Sequence, residues 1–121
     1  MTGKCLIRID PATLKAWLGC GDTVLIDVRE PAEFAREHIA GARLMPLSRL
    51  DARDLPEGMR IVLCCAGGCR SQTAARRLGL AGLAHLEGGL SAWSAAGFAT
   101  VEKQPARPSA NDRFEPPAQL A

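Results

Sequence analysis

Residues 60–71 read Arg60-Ile61-Val62-Leu63-Cys64-Cys65-Ala66-Gly67-Gly68-Cys69-Arg70-Ser71, and this stretch decides the fold. Its opening run, Arg60 to Cys64, is compact and apolar, as a strand covered on both faces must be. A glycine-rich loop follows with no spacer, and the Ala and Arg content from Ser71 to Leu80 predicts a helix. Strand, tight loop and helix in direct succession place the loop at a strand's carboxyl end, where parallel α/β sheets bind their ligands.

The flanking sequence repeats the alternation. Upstream, Thr23-Val24-Leu25-Ile26-Asp27-Val28 is a β-branched run that predicts a second buried strand, and Glu30-Pro31 opens a helix through about His38. Before it, Leu6 to Ile9 predicts a short strand. Asp10-Pro11 with Ala12, Leu14, Trp17 and Leu18 then predicts a helix capped by Asp10 and stopped near Gly19. Between the two long strands, Gly41 to Pro46 reads as a turn and short strand, Leu47 to Leu50 as a helical turn, and Pro56-Glu57-Gly58 as a loop. Downstream come a strand at Leu83 to Leu86, a Gly88-Gly89 turn, and a helix from Leu90 to Ala96 stopped by Gly97. The pattern is that of an α/β domain with a parallel sheet and helices on both faces. From Gln104 onward, prolines 105, 108, 116 and 117 punctuate eighteen residues with little apolar content, so residues 104–121 read as a Pro-rich mobile tail behind a domain of residues 1–103.

At 121 residues the chain is the size of one domain that closes a core without metal or disulfide staples. Fifteen Lys and Arg against thirteen Asp and Glu give no strong field of either sign, which argues against nucleic acid or an anionic membrane as partner. Five cysteines, at 5, 20, 64, 65 and 69, match neither paired metal ligands nor a disulfide scaffold, so a reducing compartment fits and neither metal nor cofactor is expected. The N-terminal residues lack the apolar core of a signal peptide, and no segment is long enough to cross a bilayer. The expectation is a cytoplasmic protein.

A thiol is a useful nucleophile only as thiolate, and a helix N-terminus and a fixed cation both favour that form. The loop supplies both. Gly67 and Gly68 let backbone N–H groups turn inward ahead of the helix, forming a concave anion site, and Arg70 adds positive charge. An anion on Cys65 would be held as an oxyanion hole holds developing charge.

Four motifs in order resemble the rhodanese family over about residues 4–102. Cys65-Ala66-Gly67-Gly68-Cys69-Arg70-Ser71 is similar to that family's Cys-x-x-Gly-x-Arg-Ser loop. Leu25-Ile26-Asp27-Val28-Arg29-Glu30-Pro31 with Glu33-Phe34, His38-Ile39-Ala40-Gly41-Ala42, and Glu87-Gly88-Gly89-Leu90-Ser91-Ala92-Trp93 with Ala96-Gly97 match the other blocks. The resemblance implies a rhodanese-like fold, a central, mostly parallel five-stranded sheet flanked by helices on both faces. It implies a sulfurtransferase in which Cys65 takes a sulfane sulfur from thiosulfate or a persulfide, becomes a persulfide itself, and passes the sulfur to a thiol or cyanide. Ala66, Gly67, Gly68, Cys69 and Ser71 would form the substrate loop, Arg70 would serve beside Cys65, and Asp27 and Arg29 would support the loop through hydrogen bonds and ion pairs or else form a surface ion pair. The partners implied are small sulfur donors and acceptors, or a protein persulfide.

This loop departs from the family pattern in having only small residues before Arg70. Such a loop leaves an open mouth suited to a bulkier persulfide donor. Cys69 could resolve an oxidised Cys65 into a disulfide, or be a small side chain facing solvent. Counting from Cys64 gives Cys-x5-Arg-Ser, the spacing of cysteine-dependent phosphatases and arsenate reductases, but strand alternation turns Cys64 and Cys65 to opposite faces and leaves Cys64 to pack. A non-catalytic partner-binding module is the competing class. Some rhodanese-like chains also continue into a membrane hairpin, so the full reading frame decides whether Pro116 to Ala121 is a natural end. His38 and His85 read as structural, Trp17, Phe34 and Trp93 as core, and Cys5 and Cys20 as packing residues.

Overall fold

A computed structural model describes residues 6–102, so Cys5 and the Pro-rich segment 104–121 lie outside the described residues. Five strands, β1 (Ile7–Ile9), β2 (Thr23–Asp27), β3 (Arg43–Leu44), β4 (Arg60–Cys64) and β5 (Ala84–Leu86), form one sheet in the order β1-β5-β4-β2-β3. Every pairing in it is parallel. The two long strands run side by side in the centre, from Thr23 opposite Arg60 to Asp27 opposite Cys64. From β2 the chain moves outward to β3, whereas from β4 it moves the other way to β5. The carboxyl ends of β2 and β4 therefore flank the crevice where ligands enter open α/β sheets.

Helices α1 (Pro11–Leu18), α2 (Pro31–Arg36), α3 (Cys69–Leu78) and α4 (Gly89–Ala95) connect and cover the strands. Alternation along β2 and β4 builds two apolar layers. Leu25, Val62, Cys64, Ala84 and Leu86 meet Leu14 of α1 and Leu90 and Trp93 of α4 on one face. Val24, Ile26, Leu63 and Cys65 meet Ala74 of α3 and Leu55 on the other.

The caps explain most boundaries. Asp10 accepts from the Thr13 N–H at 2.8 Å and Pro11 starts α1, as the sequence predicts. Helix α2 stops at Arg36, short of His38, because Glu37 is extended and the His38 backbone pairs in both directions with Val101. Helix α3 starts two residues earlier than predicted, at Cys69, and ends at Leu78 because Gly79 is left-handed at φ +63°. A 3-10 turn at Ala52–Asp54, capped by Asp51, is not foreseen in the sequence, and Leu47–Arg49 is 3-10 as well. Phe34 and Trp93 are buried, while Trp17 is half-buried with the Arg60 guanidinium 4.0 Å over its ring. Cys20 is exposed, just past the end of α1, where its thiol donates to the Ala16 carbonyl at 3.5 Å, and is not a packing residue.

One close approach fixes the carboxyl end of β4. Leu90 and Ser91, at the start of α4, donate their N–H groups to the Cys65 and Ala66 carbonyls at 2.8 and 3.0 Å. Gly89 makes room for this: a Cβ there would stand 2.3 Å from the Cys65 oxygen and 2.7 Å from the Ala66 carbonyl, at a φ of +59°. Gly89→Ala is expected to lower unfolding free energy by about 3 kcal/mol from backbone strain and overpacking together. A urea titration checks this, and a loss below about 0.5 kcal/mol would mean that the loop yields freely.

Candidate active site

Cys65 follows β4 directly, with its side chain on the α3 face of the sheet. The chain then turns through Ala66, Gly67 and Gly68 into α3, so the loop is shorter than predicted and Cys69, Arg70 and Ser71 are already helical. Gly68 adopts φ +103°, open to glycine, and its N–H points back at the Cys65 sulfur, 3.0 Å away. The Ala66 and Cys65 carbonyls face α4, so their polar demand is met away from the sulfur. Cys65 is only 1% exposed, so the expected open mouth is narrower than small loop residues imply, although Gly67 and Cys69 are exposed. Beside the loop lies a cleft of about 280 Å³ lined by Glu37, Ala66, Leu90, Ser91 and Ser94.

Arg70 does not present a free charge to the loop. It grips Glu33 with two parallel hydrogen bonds, at 2.7 and 2.9 Å, and the same carboxylate accepts from the Glu30 N–H at 3.0 Å. These bonds tie the first turn of α3 to the first turn of α2, 37 residues apart in sequence. The hydrogen bonds from Arg70 pull the Glu33 carboxyl down from its ordinary 4.5 to about 2.

Asp27 and Arg29 form a buried pair rather than a surface one, 1% and 5% exposed, with the guanidinium on both carboxylate oxygens. Burial works against the Arg29 charge, and the hydrogen bonds and charge of Asp27 outweigh it. A further Arg29 bond to the Glu37 carbonyl, 2.6 Å, secures the end of α2, beside the cleft.

Cys64 packs on the opposite face, among Leu25, Val62 and Leu86. Burial pushes its thiol well above the ordinary value, and the Asp27 charge adds to this. Cys65 and Cys69 are both free thiols, Cys69 exposed on the first turn of α3.

His38 is half-buried and His85 is buried. His38 stacks on Phe34 and its Nδ1 meets the Phe34 carbonyl at 2.8 Å, a helix-end contact of the kind the sequence predicts. His85 does more than the sequence foresees. From β5 it reaches Ser71, 2.9 Å from Nδ1 to Oγ, and Ser71 in turn lies 3.8 Å from the Cys65 sulfur. Glu33, Gly89 and His85 are thus the residues that sequence reasoning leaves out of the site. Glu33 and Gly89 sit inside quoted motifs, which is a signal without a stated role, and His85 carries none. Among the described residues, no group of three or more His, Cys, Asp or Glu side chains is placed to hold a metal ion, and no helix is long and apolar enough to cross a membrane.

Comparison with known proteins places this geometry. The rhodanese-like domain family matches residues 10–96. An uncharacterized protein of Synechocystis sp. is 46% identical over 101 residues, covering 79% of this chain and 56% of its own length. The thiosulfate sulfurtransferase GlpE of Stutzerimonas stutzeri is 32% identical over 96 residues, 71% of this chain and 83% of its own. Among solved structures, a thiosulfate sulfurtransferase from Pseudomonas aeruginosa superposes with a TM-score of 0.72 at 35% identity, covering 86% of this chain and 21% of that one. The chain thus spans little more than half of the Synechocystis relative and a fifth of the Pseudomonas chain.

The Glu33–Arg70 bridge has a defined pH signature. A carboxyl held at about 2 stabilises the fold above its ordinary value of 4.5 and loses that contribution as pH falls through about 2. Glu33→Gln is expected to cost about 1 kcal/mol at pH 7, as suits a bidentate but partly exposed pair, and the difference from wild type should shrink steadily below pH 4.5. Urea titrations across that range test it; a penalty that stays constant to pH 2 would assign the effect to packing.

Proposed function

The chain belongs to the rhodanese-like domain family, and on that premise we propose that it is a sulfurtransferase whose Cys65 carries the transferred sulfur as a persulfide. The observation that carries this reading is the Gly68 N–H, 3.0 Å from the Cys65 sulfur, in a loop at the crevice between β2 and β4.

In the first half-reaction the Cys65 thiolate attacks the outer sulfur of thiosulfate or of a persulfide donor. A new S–S bond forms while the donor's own S–S bond breaks, and sulfite or a thiolate departs with the bonding pair. In the second, a thiolate or cyanide attacks the outer sulfur of the Cys65 persulfide, and Cys65 leaves as a thiolate. No external oxidant is consumed. Each intermediate puts negative charge at or next to the Cys65 sulfur, where the Gly68 amide and the N-terminus of the ten-residue helix α3 favour it. Arg70 positions that helix through Glu33, and Asp27 with Arg29 positions the wall formed by α2.

The phosphatase spacing from Cys64 is disfavoured because its thiol lies on the other face of the sheet, protonated by its surroundings. Incubation with thiosulfate or glutathione persulfide is expected to add one sulfur atom to the Cys65 peptide in a mass spectrum. Cys64→Ser should retain that gain and Cys65→Ser should abolish it. A gain that disappears with Cys64 instead would overturn the assignment.

A further inference from the structure

We infer that His85 is a positioning residue for Cys65, acting through Ser71 as a proton-ordering relay beneath the reactive loop. The inference rests on reading Cys65 as the nucleophile, but its test needs no sulfur donor. Ser71 is fully buried and His85 is 1% exposed. The Ser71 hydroxyl has a single proton, which it donates to the Gly68 carbonyl at 3.0 Å; His85 Nδ1 at 2.9 Å can also accept it, as can the Cys65 sulfur at 3.8 Å once that sulfur, which donates to Ser71 Oγ as a thiol, becomes a thiolate. Which one receives it depends on the imidazole.

The other ring nitrogen, His85 Nε2, is buried and has no hydrogen-bond partner. Burial, helped by the Arg8 charge, holds the ring below its ordinary 6.5, so the neutral imidazole is the relevant form. With the proton on Nε2, a buried N–H would be stranded and Nδ1 would take the serine proton away from the loop. With the proton on Nδ1, the ring donates to Ser71 and the serine proton is directed at the loop. We assign the second tautomer. In it, Ser71 serves the Gly68 carbonyl while Cys65 is a thiol and can turn to the sulfur once a thiolate forms. The Gly68 carbonyl is not abandoned by that turn, because Gln72 Nε2 also donates to it at 3.2 Å. A donor that is itself receiving a hydrogen bond is the stronger donor, so the histidine strengthens Ser71's hold on the anion.

The charged and titratable groups bearing on this relay are few. Arg8 on β1 and Glu87 beyond β5 act on His85, while Arg70 on α3, held by Glu33, and the thiol of Cys64 act on Cys65. None of them replaces the Nδ1–H on Ser71.

The test is the rate at which limiting iodoacetamide alkylates Cys65 in the full chain, assigned to Cys65 itself by fragmenting the 61–70 peptide, which also holds Cys64 and Cys69. His85→Phe is expected to slow that rate roughly fivefold at pH 7, the scale of the one neutral hydrogen bond to Ser71 that it removes, and to approach wild type at pH 10, where hydroxide drives deprotonation in both proteins. Ser71→Ala should slow it at least as much, and the double variant should be no slower than Ser71→Ala alone. His85→Asn, whose amide can offer an N–H near the position of Nδ1, should recover the wild-type rate to within about twofold. An unchanged rate in His85→Phe at pH 7, an equal loss at both pH values, or multiplicative losses in the double variant would each overturn the relay. Thermal unfolding identifies a variant that fails to fold. If His85→Phe is one, Ser71→Ala decides, since a full rate there at pH 7 overturns the inference and a loss confined to pH 7 sustains it.

Discussion

The structure turns on a contact between two pieces of backbone, the start of α4 and the carbonyls of Cys65 and Ala66. A sulfur at the end of a parallel strand is ordinarily surrounded by carbonyl oxygens as much as by amides, and oxygens repel an anion. Here the two carbonyls that flank the sulfur are drawn to the N–H groups of Leu90 and Ser91, which as first-turn helix donors have no partner within their own helix. The loop group left directed at the sulfur is the Gly68 N–H, while the Gly68 carbonyl is bound by Ser71 and Gln72. Gly88 takes part as well: a Cβ on Gly68 would lie 3.3 Å from the Gly88 nitrogen, so the two glycine turns are stacked. Both positions are left-handed, at φ +103° and +77°, and a Cβ on Gly88 would stand 2.6 Å from the Ala92 side chain, so glycine suits each turn for its own reason.

Charge is handled differently. Both arginines near the site are matched by carboxylates, Arg29 by Asp27 and Arg70 by Glu33, at 2.8 and 2.7 Å. Their positive charge is spent on architecture. Asp27–Arg29 ties the end of β2 to the end of α2, and Glu33–Arg70 ties α2 to α3, so the walls of the crevice are braced by ion pairs while the sulfur is addressed by dipoles. Dipoles fixed in a backbone need no reorganisation when negative charge appears beside them.

Much of this was legible in the sequence. Apolar runs located β2 and β4, Asp10-Pro11 located α1, and strand alternation separated Cys64 from Cys65, because each is a local rule acting on neighbouring residues. The start of α3 was placed late because Gly68 in the left-handed region lets helical geometry begin at once, and glycine composition does not disclose the sign of φ. Glu33 and His85 were missed as site residues for a different reason. Their partners are 37 and 14 residues away, and such pairings follow from how helices lie across the sheet, which a single sequence does not encode in its periodicity. Small loop residues imply an open mouth, yet Cys65 is buried, packed in the apolar layer that β2 and α3 share.

The adjacent cysteines show how little separation such a site needs. Cys64 and Cys65 are consecutive, equally buried, and differ only in the face to which a two-residue period assigns them. One face offers aliphatic side chains and the Asp27 charge, both of which oppose ionisation. The other offers an amide N–H that donates to the sulfur and a hydroxyl, bonded to a histidine, that accepts from the thiol. A one-residue slip of β4 would exchange the two environments and present the wrong thiol. The register between β2 and β4, fixed over five residue pairs from Thr23–Arg60 to Asp27–Cys64, is therefore part of the site. The reactivity assigned to Cys65 is a property of strand pairing as much as of the loop that follows it.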